Sequence, residues 1–86
     1  KEDIATIPNP LDLVEKLRGV SFKWKDRDED RKTMGFVYEE VEEGVPELAR
    51  SSDDGRGSVM YQNTVALLVE CIKELKQEIN ELKQAK

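Results

Sequence analysis

Histidine is absent from this 86-residue chain, and Cys71 is its only cysteine. Without an imidazole no Ser-His-Asp or Cys-His relay can form. The same shortage leaves an N/S zinc site without enough ligands, and a single thiol closes no disulfide within the chain. Aromatic residues are scarce at 6% and hydrophobic residues reach only 37%. No apolar run approaches the roughly 18 residues of a membrane-spanning helix, and no basic-then-apolar leader opens the chain. A basic surplus is missing too. Lys and Arg number 14 against 19 Asp and Glu, a net charge of −5. That balance disfavours a phosphate-tracking nucleic-acid binder, so neither nucleic acid nor a membrane is expected as a partner. Gly55 and Gly57 lack the strand, the Lys-Ser/Thr pair and the helix of a phosphate loop, and no cofactor is called for.

These absences leave one small domain with little core. A chain of this length buries only about 60–65% of the surface its unfolded form exposes. With metal and disulfide support set aside, oligomerisation is the expected source of the remaining burial. The chain opens on Lys1 rather than Met, and is read as a segment of a longer polypeptide. Cys71 is read as a buried structural thiol.

The elements that remain are short. Residues 1–8 read as extended, ending at Pro8. Asn9 can cap a helix, Pro10 suits its first position and Asp12 its positive end. Leu11, Val14 and Leu17, with Leu13 beside them, form its apolar stripe. Lys16 and Arg18 suit the last turn, and Gly19 the C′ position. Val20, Phe22 and Trp24 then alternate with Ser21, Lys23 and Lys25, the period of a half-buried strand. Seven charged residues, Asp26 to Lys32, make a solvated loop or an arm that touches a partner. Thr33 to Val37 return as a second strand, giving a hairpin. Tyr38 to Glu43 form a short acidic helix with a small apolar contact from Val41 and Tyr38, stopped by Gly44 and Pro46. Ser51 to Ser58 read as a flexible loop, and Val59 to Tyr61 as a very short strand.

From Gln62 onward there is neither Gly nor Pro. Apolar residues fall at Tyr61, Val65, Leu68, Ile72, Leu75, Ile79 and Leu82, spaced 4-3-4-3-4-3. This is a heptad seam with β-branched residues at a and Leu at d. Glu78 at g and Lys83 at the next e can pair between parallel chains. Ala66, Leu67, Val69 and Cys71 lie off the seam, so residues 62–72 are read as serving both the seam and the packing of a small head, and residues 73–86 as a projecting coiled coil. Periodicity leaves dimer and trimer open. The fold class is α+β: a head over residues 1–61 with a β-hairpin and short helices, and a coiled-coil helix over 62–86.

Few of these residues offer chemistry. Glu39-Glu40 and Glu42-Glu43 read as a solvated helix face rather than an acid/base pair. Asp53-Asp54-Gly55 lacks the ligand alternation and terminal Glu of a calcium loop.

The order of segments nevertheless resembles a known family. Leu17-Arg18-Gly19-Val20-Ser21-Phe22-Lys23-Trp24-Lys25 is similar to its "LRPVSFKWK" strand. Met34 to Glu43 resembles its "IGFIAQEVEE", and Val45-Pro46-Glu47-Leu48 its "xPEL". Tyr61 followed by Val65 to Leu75 resembles its "Y…ALLVEAIKEL" helix, and Lys1-Glu2-Asp3-Ile4 its opening "LKENI". The departures are Gly19 for Pro and Val37-Tyr38-Glu39 for Ile-Ala-Gln. The family is the C-terminal intramolecular chaperone auto-processing domain, of the endosialidase type, found on phage tailspikes, tail fibres and neck appendages.

The resemblance implies a parallel homotrimer, joined through Tyr61, Val65, Leu68, Ile72, Leu75, Ile79 and Leu82. It would register an upstream β-stranded domain of the same polypeptide while that domain folds, then be released. Interlaced β-structure has high contact order, and holding chains in register lowers the entropy cost of nucleating it. Family members cut themselves with a Ser–Lys dyad, the scissile bond lying just before the Ser of an S-D-x-R-x-K motif. Lys1 falls on the motif's Lys, so the implied nucleophile stands five residues ahead of this chain, and the fragment itself would be inactive. None of Ser21, Ser51, Ser52 or Ser58 matches the motif. The implied location is the host cytoplasm during phage assembly. A plain trimerisation or adaptor module without cleavage is the alternative.

Overall fold

The computed structural model describes residues 1–25 and 31–85. Helix α1 spans Pro10–Val14. Strand β1, Val20–Phe22, pairs antiparallel with β2, Thr33–Gly35, setting Val20 opposite Gly35 and Phe22 opposite Thr33. Helix α2, Tyr38–Gly44, leads into a 3-10 turn at Pro46–Leu48. Strands β3, Ala49–Ser51, and β4, Gly57–Val59, form a second antiparallel hairpin. Helix α3, Tyr61–Gln84, closes the chain with 24 residues. The class is α+β, as the sequence indicates. Of the charged loop read over 26–32, residues 26–30 lie outside the described residues; Arg31 and Lys32 are exposed.

The core is a small cluster where α2 and the 3-10 turn meet α3. Val41, Val45, Leu48, Leu67 and Cys71 are buried, with Ile7, Leu11, Leu13, Val14 and Leu17 packed partly against them. Val41 is the most enclosed, 1% exposed. The sequence gives it only a small contact, because it stands alone among four glutamates. In the helix those acids point away while Val41 faces in, and Val45 continues the same face one turn on.

Helix α1 is shorter than its pattern. It stops at Val14, and the amides of Lys16 and Leu17 bond the carbonyls of Leu13 and Val14, tightening the exit. Asn9 stands at the N-cap with φ 48°, ψ 54°, and its side chain makes no capping bond. Asn is among the few non-glycine residues that tolerate this left-handed conformation. Gly19 lies five residues beyond Val14 and so is no C′ residue. Strand pairing is also shorter than the alternation. It ends at Phe22, and Trp24 continues outside the ladder, 51% exposed, its ring edge-on to Phe22 at 5.1 Å and 86°.

The second hairpin replaces the loop read over Ser51–Ser58. Gly55 supplies the tight turn with φ +82°. The Ser52 amide donates to the Arg56 carbonyl at 2.8 Å, and the Arg56 amide to the Asp54 carboxylate at 3.1 Å. The short strand read at Val59–Tyr61 is shifted two residues earlier, and Tyr61 already begins α3. Gly57 is required by proximity, since a Cβ there would overlap the Tyr38 ring. Gly57→Ala is expected to cost about 1–3 kcal/mol through overpacking, seen as a lower urea midpoint with an unchanged slope.

Candidate functional site

Helix α3 carries two stripes. Thr64, Leu67 and Cys71 are buried against the head. Val65, Leu68, Ile72, Leu75, Ile79 and Leu82 are exposed by 42–68%. At 3.6 residues per turn the mean directions of the two stripes differ by roughly 80°. The heptad residues thus form a continuous apolar strip beside the head rather than beneath it. Ala66 and Val69 are exposed, so of the four off-seam apolar residues only Leu67 and Cys71 enter the core.

Tyr61 departs from the rest of its stripe. Its ring stacks on Phe36 with centroids 5.6 Å apart and planes 13° from parallel. Its hydroxyl accepts the Phe36 N–H at 3.0 Å. A Cβ at Gly35 would lie 2.6 Å from that hydroxyl. Tyr61, still 49% exposed, therefore clamps the first hairpin to the start of α3.

The other end of the head is tied down by Cys71. Its thiol donates to the Pro10 carbonyl at 3.2 Å within the core, joining α1 to the middle of α3. Burial, and next the charge of Glu74, push its pKa up, which keeps the thiol protonated and unreactive. One turn further, Glu74 is half-buried, and its Oε2 is enclosed without a hydrogen-bond partner.

Two polar contacts escaped sequence reasoning. Arg18 forks onto Glu40, Nε to Oε1 at 3.1 Å and Nη2 to Oε2 at 2.6 Å. This bidentate bond holds the Glu40 carboxyl below the usual carboxylate range and raises the Arg18 guanidinium. The Tyr38 hydroxyl donates to Glu42. The glutamates of α2 are thus partly engaged in holding the head together. Only the 22-residue separation of Arg18 and Glu40 hid the first pair.

Lys1 is exposed. Ser52 is occupied in the second turn, where its single hydroxyl proton is shared between the Asp54 carboxylate and the Arg56 carbonyl. Ser21, Ser51 and Ser58 are exposed on the two hairpins. Between those hairpins lies an apolar groove of about 660 Å³, lined by Phe22, Trp24, Phe36, Tyr38, Val59 and Tyr61 among others. Among the described residues no group of three or more His, Cys, Asp or Glu is placed to hold a metal ion, and no helix is long and apolar enough to cross a membrane.

Residues 1–50 match the family model described as chaperone of endosialidase. The long tail fiber proteins Gp37 of Enterobacteria phages K3 and T2 are each 33% identical over 89 residues, covering 95% of this chain and 7% of the relative. Gp37 of Salmonella phage S16 is 32% identical over 93 residues, covering 98% of the chain and 12% of the relative. The chain therefore spans 7–12% of the length of these curated relatives. No solved structure matches it. The matched residues contain α1, the first hairpin and α2, and the chain belongs to the endosialidase chaperone family.

Proposed function

We propose that this chain is the registering and releasable chaperone module of a phage tail fibre or a similar appendage. It works as a parallel homotrimer through α3, with residues 1–61 as head and 62–86 as coiled coil. The observation that carries this reading is the exposed strip from Val65 to Leu82. Six large apolar side chains in heptad spacing stand in solvent on a helix whose other face is already used. In one copy this surface is wet; copies meeting along it bury it, at about 25 cal/mol per Å² of apolar area. The threefold form, the upstream β-stranded passenger and its folding in the host cytoplasm during assembly are what the family resemblance implies, and the likeness to long tail fiber proteins supports the tail-fibre setting alone. Sedimentation equilibrium at micromolar concentration is expected to give three times the 9.9 kDa chain mass. A monomer or a clean dimer would count decisively against the trimer.

The release step rests on Lys1. A neutral Lys1 amine would accept the proton of an upstream Ser hydroxyl as that oxygen attacks the preceding carbonyl; the peptide C–N bond then breaks as the Ser nitrogen takes up that proton, and water hydrolyses the resulting ester to free the upstream carboxylate and restore the Ser hydroxyl. The exposed position of Lys1 leaves it accessible to residues joined ahead of it. Extending the chain upstream to include a Ser five positions before Lys1 is expected to yield a cut just before that Ser, and Lys1→Ala to prevent it. Continued cleavage in Lys1→Ala would remove Lys1 from the reaction. A natural upstream sequence lacking a nucleophile there would make the chain a non-cleaving adaptor.

A further inference from the structure

The apolar groove between the hairpins gathers both Phe, both Tyr and the single Trp of the chain. Its walls are main chain as much as side chain. Residues 22–25, 36–38 and 57–59 line it as unbroken runs, whereas the face of a sheet would contribute every second residue. No residue of β2 or β3 lines it. Among the described residues β1 pairs only with β2, and β4 only with β3. The groove therefore runs along the outer edges of β1 and β4, which their partners leave open. Such edges accept a further strand through main-chain hydrogen bonds. An extended segment seated there would make one sheet of the two hairpins, in the order β2, β1, guest, β4, β3. The charged residues lining the groove, Lys23 and Lys25, are both basic in a chain of net charge −5. A guest that suits it carries acids beside an apolar side chain.

The chain itself holds a segment of that kind. Residues 1–8 belong to no helix or strand and, among the described residues, take part in no main-chain hydrogen bond. Ile4 is 84% exposed and follows Glu2 and Asp3. In one copy this segment stays outside the groove, which none of its residues lines, while Ile7 packs at the core. Pro10 is held at the level of Cys71, about 15 Å along α3 from Tyr61 at the groove. The stretch from Pro10 back to Ile4 spans up to about 20 Å when extended, which covers that rise. We propose that residues 2–6 of one protomer enter the groove of a second copy, with Ile4 against the aromatic wall, the main chain on the open edge of β4, and Glu2 and Asp3 beside Lys25. This exchange rests on the parallel assembly proposed above, and ties each head to its neighbour independently of the a and d residues.

Trp24 lines the groove and is 51% exposed in one copy, so its fluorescence reads the groove while sedimentation equilibrium reads assembly. On the whole chain, its emission is expected to shift to the blue and acrylamide quenching to fall as rising concentration brings copies together. Ile4→Asp alters an exposed side chain and is expected to abolish both changes in a chain that still sediments as an oligomer. Leu75→Asp, which dissolves the strip, should keep Trp24 wet at every concentration. An assembled parent whose emission matches that of Leu75→Asp overturns the exchange and leaves the assembly standing. A shift that persists in Ile4→Asp means that another segment covers the groove, and a protected Trp24 in the Leu75→Asp chain means that each copy fills its own; either result overturns the second-copy occupant. A parent that sediments at 9.9 kDa at every concentration overturns the assembly on which the exchange rests.

Discussion

Leu67→Ala is expected to remove about 2–5 kcal/mol of stability, a large part of what a domain this small possesses. Leu67 is 3% exposed and sits where α3 meets the 3-10 turn and α1. Its truncation leaves a cavity bounded by Val41 of α2, Leu48 of the 3-10 turn and Val45 between them, a short segment with little freedom to close it. The measurement is urea unfolding followed by the near-ultraviolet signal of the head. The midpoint should fall sharply at low protein concentration and recover in part as concentration rises, because assembly draws on the folded form alone. A midpoint within a few tenths of a molar of the parent would mean that head and helix are not held together at this contact.

Leu75→Asp should act on the neighbouring exposed strip. Leu75 lies outside the buried cluster and is 46% exposed, so one isolated copy tolerates a carboxylate there. In the proposed trimer the same position is a central d site, where three carboxylates would be brought together without partners. Desolvation and mutual repulsion together amount to several kcal/mol. The expected result is complete dissociation at micromolar concentration with the head signal retained. An unchanged oligomer would show that the heptad strip is not the interface. The two substitutions are eight residues apart on one helix, and their contrasting outcomes separate a fold function from an assembly function.

How much of this was legible follows from the kind of signal each segment carries. The heptads of α3 repeat, and repetition in sequence translates directly into a strip on a helix. Leu67 and Cys71 stand off that strip, but so do the exposed Ala66 and Val69, so the sequence marked a head-facing group without picking out its two buried members. The first hairpin was legible from Val20, Phe22 and the returning Thr33–Gly35, although pairing ends before Trp24. The second hairpin was not. Its strands are three residues each, and its turn residues Ser52, Asp53, Asp54 and Gly55 have the composition of any loop. What fixes it is contact at a distance, the Tyr38 ring over Gly57 and the Met60 amide on the Leu48 carbonyl at 2.8 Å. The same holds for Arg18 with Glu40 and for Tyr61 with Phe36. Each partner is ordinary alone, and only the fold brings them together. The isolated carboxylate oxygen of Glu74 belongs to this class as well, since enclosure is a property of the packed head.

The bond from the Cys71 thiol to the Pro10 carbonyl has a further consequence. It fixes residue 10 beside the tenth residue past Tyr61, about 15 Å along the helix at 1.5 Å per residue. Where the N-terminal segment departs is therefore set inside each protomer by its own α1–α3 packing. Copies brought together in parallel would launch their leading strands from one common height, like threads from the same notch on three matched spindles. Zero stagger among those strands would then be a property of the single folded chain, already present before any two copies meet.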